Sequence, residues 1–350
     1  MMFNYKINKM EKDLKFDLND ITLKGCIMSE ISSRSEINIL ENGKLPIFIA
    51  PMDTVINHDN YQTFLDLGMN VCIPRQNPNE ERKTYSDECF ISYGLNELED
   101  IIKNKETLPK RVLIDVANGH SRRVYNIAND IKKNYDVELM VGNIANPLTI
   151  IEYAKIGVDY IRCSVGSGSA CITGCNTAIY YPMGSLISEC NEIKKKYKLK
   201  INIVADGGFR NFSDIIKGLA LGADYIMIGS ICNKSIDACG DKFIKKNDEY
   251  IQIEKEKAIE YFHVDEQIYT KYRGMSTKEV QQSWGKKNLK TSEGISFYNT
   301  VEYTMSGWVE NFSDYLKSCL SYQGFYDIKD FRGNSPYIFI TQQAFNRFNK

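Results

Sequence analysis

Short apolar, β-branched runs recur along the chain, with longer amphipathic stretches between them. Eight of these runs read as strands: Pro46–Ala50, Asn70–Ile73, Phe90–Tyr93, Arg111–Val116, Val137–Val141, Val158–Cys163, Ile201–Ala205 and Asp224–Ile228. Near-continuous apolar runs of this kind suit strands buried on both faces. Their starts fall 20 to 26 residues apart, except for one interval of 43 residues between Val158 and Ile201. That spacing holds one strand, one helix and two short loops. Strands alternating with helices predict a parallel sheet. Eight such units favour an α/β fold closed as a (β/α)8 TIM barrel over an open doubly wound sheet.

The intervening helices carry their own signals. Ser121–Lys133 places Val124, Ile127 and Ile131 at helical spacing behind a candidate Ser121 cap. Asn146–Ile156 opens on Asn-Pro, a good helix entry. Ser213–Leu221 opens on a serine followed by Asp214. After Asp241 the pattern loosens. Lys271–Ser292 is polar and reads as a loop, so a flap is expected over 271–293. Val301–Ser321 reads as one more helix and Tyr337–Thr341 as one more strand. The whole of 1–350 is expected to form one domain, with residues 1–12 a poorly ordered extension.

Composition narrows the class. With 43% apolar and 25% charged residues, the chain is globular in type. A formal net charge of -1 argues against a nucleic-acid footprint or a membrane surface. No run approaches the roughly 18 apolar residues of a membrane span. The ten cysteines show no disulfide or zinc spacing, and the three histidines lie far apart. Reduced thiols and the lack of a targeting signal make the cytoplasm the expected location.

The active site of such a barrel lies at the C-terminal ends of its strands. Those ends carry Asp53, Arg75, Asp115, Asn143, the Gly166–Thr173 segment, Asp206-Gly207-Gly208 and Gly229-Ser230. The last two groups follow the seventh and eighth strands, where barrels commonly bind phosphate. Glycines there let backbone N–H groups approach an anion, and the helix near Ser213 is expected to aim its N-terminus at the same place. The plainer alternative is that these glycines only make tight turns. Taken alone, Cys171 on its glycine-rich loop reads as an inert thiol. At a barrel mouth beside a phosphate site, it reads as an activated nucleophile. Cys163 and Cys190 read as ordinary buried thiols, and Cys175 as a weaker candidate redox partner.

Several segments together resemble the IMP dehydrogenase and GMP reductase family, from about Asp13 to Thr341. They are Ser33-Arg34-Ser35-Glu36, Ala50-Pro51-Met52-Asp53-Thr54-Val55, Ile114-Asp115-Val116-Ala117-Asn118-Gly119, Gly142-Asn143, the cysteine loop, Ala205-Asp206-Gly207-Gly208, Tyr272-Arg273-Gly274-Met275-Ser276 and Ser292-Glu293-Gly294. Within the family the wording is nearer the reductases. There is no regulatory insertion between early strands, Asp115–Gly119 and Gly274-Met275-Ser276 have reductase form, and the flap lacks the Arg-Tyr pair with which dehydrogenases activate water. Gly166-Ser167-Gly168, Gly174, Asn176–Pro182 and Pro74-Arg75-Gln76 depart from the family pattern.

The resemblance implies that Cys171 attacks purine C2, with Thr173 and Glu293 relaying protons. It implies that Asp206, Gly207, Gly208, Gly229, Ser230, Tyr272, Gly274, Met275, Ser276 and Lys290 bind a purine nucleoside monophosphate. It assigns NADPH, or NADH, to Ser33, Arg34, Arg75, Asp115, Val116, Ala117, Asn143, Ser318 and Tyr322, the last two from a neighbouring subunit of a homotetramer. Potassium would sit at Gly166, Gly168 and Cys171. An IMP dehydrogenase without its regulatory insertion, a relative acting on a modified or deoxy purine nucleotide, and a non-catalytic nucleotide-binding barrel are the alternatives.

Overall fold

The computed structural model describes residues 14–75, 82, 84–283 and 291–348. A short strand, β1 (Ile21–Leu23), precedes the barrel. Eight parallel strands then close on themselves: β2 (Ile47–Ile49), β3 (Asn70–Ile73), β4 (Phe90–Tyr93), β5 (Arg111–Asp115), β6 (Glu138–Ile144), β7 (Tyr160–Cys163), β8 (Asn202–Asp206) and β9 (Tyr225–Ile228). Closure is made by β2 pairing with β9. All eight expected strands are present, two of them with both ends as expected and the others with ends moved by at most three residues.

Helices cover the outer face. Ser121 caps Arg122–Asn134 as expected, its hydroxyl accepting the Arg123 N–H at 3.3 Å, and Val124, Ile127 and Ile131 are buried. Two helix starts differ from expectation. Asn146 accepts the Leu148 N–H in a turn, so that helix runs only over Thr149–Lys155. The cap of Phe212–Leu221 is Asn211, not Ser213, with Asn211 Oδ1 accepting the Asp214 N–H at 2.9 Å.

Inside the barrel the two-residue period of the strands builds layers. The lower layer is aromatic. Phe48 lies edge-on to Phe90, Tyr160 and Tyr225 at ring-centroid distances of 5.6, 5.9 and 5.1 Å. Phe90 meets Tyr160 at 5.2 Å. Cys72, Leu113, Met140, Val204 and Met227 fill the remaining space. Alternate residues of the same strands face the outer helices and form the larger core.

Beyond the barrel stands an antiparallel sheet that the sequence reading missed: β10 (Lys242–Lys246), β11 (Glu249–Ile253), β12 (Tyr269–Arg273) and β13 (Ser296–Thr300), in the order β11-β10-β12-β13. Asn247 and Asp248 both take positive φ, 49° and 65°, as a two-residue hairpin turn demands. The 271–293 segment is therefore no plain loop. It begins in β12 and contains the helix Lys278–Ser283, which buries Val280. The rest of that segment over 284–290, Lys290 included, lies outside the described residues, as do residues 1–12 of the expected extension. The late helix runs Met305–Gln323, and β14 (Tyr337–Phe339) pairs antiparallel with β1. No helix among the described residues is long and apolar enough to cross a membrane.

Phe48 is 1% exposed and touches three other rings of the floor. Phe48→Ala should lower the unfolding free energy by about 3–5 kcal/mol. Denaturant unfolding measures this, and a loss below about 1 kcal/mol would mean that the aromatic layer does not hold the barrel.

Candidate functional site

The C-terminal strand ends open into a cleft of about 1040 Å³, its mouth included. One wall comes from Ala50-Pro51-Met52 after β2, and another from Asp115-Val116-Ala117 and Asn143. Asp206-Gly207-Gly208 and Gly229-Ser230 close the far end. Cys171 and Thr173 approach from the long insertion after β7, and Tyr272, Gly274-Met275-Ser276 and Glu293 from the outer sheet and its flap.

The cysteine loop is fixed by backbone pairing. Cys171 N–H donates to the Gly168 carbonyl at 2.9 Å, closing a tight turn. Ile172 N–H donates to Glu293 O at 2.9 Å, and Ile295 N–H to Ala170 O at 3.0 Å, so the loop and the flap end pair across Cys171 and Gly294. The approach is close enough to require glycine. A Cβ on Gly274 would stand 2.7 Å from Ala170 O, and one on Gly294 3.2 Å from the same atom.

This pairing sets three functional groups in line. The Cys171 thiol donates to Thr173 Oγ1 at 3.3 Å, and the Thr173 hydroxyl donates to Glu293 Oε2 at 2.7 Å. Thiol, hydroxyl and carboxylate thus form a continuous path for a proton. Cys171 is partly exposed, whereas Cys163 and Cys190 are fully buried with sulfurs 3.9 Å apart. Its hydrogen bond with Cys163, and then burial, push the Cys190 thiol well up and keep it unreactive. Cys175 is exposed on the short helix Thr173–Thr177.

Behind this path lies a buried ionic layer. Arg162 donates to Asp115 Oδ1 at 2.7 Å and, through Nη2 and Nε, to Asp206 Oδ2 at 2.8 and 3.2 Å. Asn143 Nδ2 adds a 2.7 Å bond to the same Asp206 oxygen. Burial alone would lower the guanidinium pKa, but Asp206 and Asp115 outweigh it and raise it, so Arg162 stays charged. Sequence reasoning passed over Arg162. The available signal was a lone cation inside the apolar run Val158–Cys163.

The far end is a bed of small residues. Gly207 and Gly208 both have φ near +87°, a left-handed conformation that glycine adopts without strain. A Cβ at Gly229 would meet Met52 Sδ at 2.8 Å and Tyr272 Oη at 2.9 Å. Burial pushes the Tyr272 phenol up, so it stays neutral, and its hydroxyl lies 3.2 Å from Met52 Sδ.

Not every expected residue joins this cleft. Arg75 stands behind it, Nη1 donating to Asp115 O at 3.3 Å. Ser33 and Arg34 lie on an exposed 3-10 turn, Ser33 capping Ser35 N–H, and do not line the cleft. Ser318 and Tyr322 line a different cavity, with Lys217 and Tyr315. The start of the Phe212–Leu221 helix faces that second cavity too, and Asp214 already accepts the Arg210 N–H at 3.0 Å. None of residues 211–214 lines the cleft that holds the glycine bed. Among the described residues no cluster of His, Cys, Asp or Glu could hold a metal ion.

A closed parallel barrel with a thiol, a hydroxyl and a carboxylate in line at its C-terminal mouth is laid out as a barrel enzyme. The IMP dehydrogenase / GMP reductase domain matches residues 75–347, and the chain belongs to that family. It is 26% identical to GMP reductase 1 of Mus musculus over 96% of this chain and 98% of that protein. It is 28% identical to the GMP reductase of Staphylococcus epidermidis, over 95% and 98%. An inosine-5′-monophosphate dehydrogenase of Cryptosporidium parvum is 28% identical over 71% of this chain and 59% of its own length. The protein is thus an oxidoreductase of this family, which implies a purine nucleotide and a nicotinamide cofactor.

The loop–flap contact gives a stability test. Gly274→Ala should cost about 1–3 kcal/mol, because the new methyl group presses on Ala170 O. Chemical denaturation reads this, and a neutral result would mean that the flap can move off the cysteine loop at no cost.

Proposed function

We propose that the protein reduces GMP, or a closely related guanine nucleotide, to IMP with release of ammonia, using NADPH or NADH. The observation that carries this reading is the Cys171–Thr173–Glu293 path at the mouth of the cleft. Cys171 sulfur adds to C2 of the guanine ring. The C2–N bond then breaks and ammonia departs, its proton supplied along Thr173 and Glu293. Once C2 has accepted a hydride, its bond to the Cys171 sulfur breaks, and IMP leaves with the thiolate restored.

The donor set of the cleft fits both ligands. Gly207, Gly208, Gly229 and Ser230 leave room for a phosphate against backbone N–H groups, and the neutral Tyr272 hydroxyl adds a donor. Gly274, Met275 and Ser276 lie against the base. For the cofactor, Val116 and Ala117 offer a partly apolar wall, and Asn143 an amide beside it. When bound, a reduced nicotinamide supplies the hydride that C2 accepts. Arg75 acts on that side through Asp115. Ser33, Arg34, Ser318 and Tyr322 serve the distal part of the cofactor. Ser318 and Tyr322 do so for a neighbouring subunit of a homotetramer, since in their own chain they line another cavity. Potassium at Gly166, Gly168 and Cys171 would take backbone carbonyl oxygens, of which that of Gly168 already accepts the Cys171 N–H.

The reductase reading is favoured over the dehydrogenase by what the flap carries. Hydrolysis of a cysteine adduct needs an activated water. The flap sequence has no Arg-Tyr pair, and Arg273 is held by Asp53 and by Glu279, the latter at 3.3 Å.

Absorbance at the reduced-nicotinamide band tests the reading directly. GMP with NADPH or NADH should be turned over and ammonia released, with little NAD-dependent oxidation of IMP. Robust IMP oxidation without guanine-nucleotide reduction would promote the dehydrogenase alternative. Cys171→Ser should abolish turnover and keep nucleotide binding, because a neutral hydroxyl is a far weaker nucleophile than an activated thiolate. Glu293→Gln should slow turnover by roughly 100-fold or more. Near-normal rates in either variant would remove that residue from the mechanism.

A further inference from the structure

Arg162 is 6% exposed and sits between carboxylates delivered by two different strands, β5 and β8. Its neighbour on β6 is Gly142, and a Cβ there would collide with the Arg162 Cβ. Taking a guanidinium and two carboxylates out of water is costly unless each is paired. The planar fork of arginine satisfies two acceptors at once, which a lysine ammonium does less well.

The pairing divides each carboxylate. Asp206 commits Oδ2 to Arg162 and Asn143, and Asp115 commits Oδ1 to Arg162. Among the described residues, Asp206 Oδ1 and Asp115 Oδ2 have no protein partner, and both residues line the cleft. An ionised carboxylate only accepts, so each remaining oxygen selects a donor on a ligand. Asp206 adjoins Gly207 and Gly208, on the nucleotide side. Asp115 adjoins Val116 and Ala117, on the cofactor side.

We propose that Arg162 is a positioning residue that sets these two ligand-reading carboxylates in register, and so fixes the nucleotide relative to the cofactor. It acts through Asp206 and Asp115. The inference rests on the proposed assignment of the two sides of the cleft.

The test is a set of dissociation constants for GMP and for NADPH, measured separately by titration. Asp206→Asn should weaken GMP alone and Asp115→Asn should weaken NADPH alone, each by about tenfold, the scale of one charge-assisted hydrogen bond. Arg162→Lys should weaken both. In the Asp115→Asn background, Arg162→Lys should add little to the NADPH loss while still weakening GMP in full. General structural damage would instead add to both constants in every background, and that additive result would overturn the proposal. So would unchanged constants in Arg162→Lys.

Should the lysine variant fail to fold, Arg162→Gln combined with Asp115→Asn and Asp206→Asn removes all the buried charge. That variant should fold and bind both ligands weakly, and full-strength binding by it would overturn the proposal. A wild type that binds IMP and NAD in place of GMP and NADPH sinks the reductase reading alone, and the same cycle is then read with that pair. A wild type that binds neither pair overturns both.

Discussion

Four rings, those of Phe48, Phe90, Tyr160 and Tyr225, close the lower part of the barrel, and the chemistry sits one pleat above them. Two residues along β7 from Tyr160 stands Arg162. Two along β5 from Leu113 stands Asp115, and two along β8 from Val204 stands Asp206. The aromatic layer keeps water from reaching the ionic layer from below, and in such surroundings each charge pair is stronger than at a surface. A slip of β7 by one residue would turn Arg162 out toward the helices and put Ile161 or Cys163 in its place. Strand register is therefore the constraint on which the cleft depends.

A second constraint acts at the rim. The proton path is assembled from Thr173 and Glu293, 120 residues apart in the chain. Thr173 opens the five-residue helix Thr173–Thr177, while Glu293 lies outside any strand or helix. Two backbone hydrogen bonds, Ile172 to Glu293 and Ile295 to Ala170, hold them together, and the glycines at 274 and 294 let three backbones meet. The thiol and its carboxylate are thus set by main-chain geometry, which varies less than side-chain rotamers do.

Why some of this was legible in the sequence and some was not follows from burial. The eight barrel strands are apolar on both faces, so their runs stand out and their ends locate Asp115, Asn143, Asp206 and Gly229. The outer sheet is half exposed. Strands such as Lys242–Lys246 and Glu249–Ile253 mix lysine, glutamate and aromatic residues, and only the Asn247-Asp248 turn marked the hairpin. Arg162 is hidden by the apolar run around it, although a cation inside such a run needs partners. The helix at Phe212 was misread because Asn211, Ser213 and Asp214 are all good capping residues, and only the three-dimensional path of the chain selects Asn211. The proposed roles of Thr173 and Glu293 rest on family resemblance, since nothing local in either segment points to the other.

The ionic layer also bears on how a nucleotide enters. Two carboxylates face the Arg162 guanidinium in this layer, and the Arg75 guanidinium stands beside Asp115. On the proposed reading the phosphate lies on the Gly229-Ser230 side of the cleft. There Gly229, Ser230 and the neutral Tyr272 supply donors without a carboxylate side chain of their own. On that reading, this arrangement of donors and acceptors orients the ligand before any specific contact with the base forms. The phosphate seeks the neutral donors, the sugar hydroxyls face the carboxylate oxygens as hydrogen-bond donors, and the ring is left at the end where Cys171 stands.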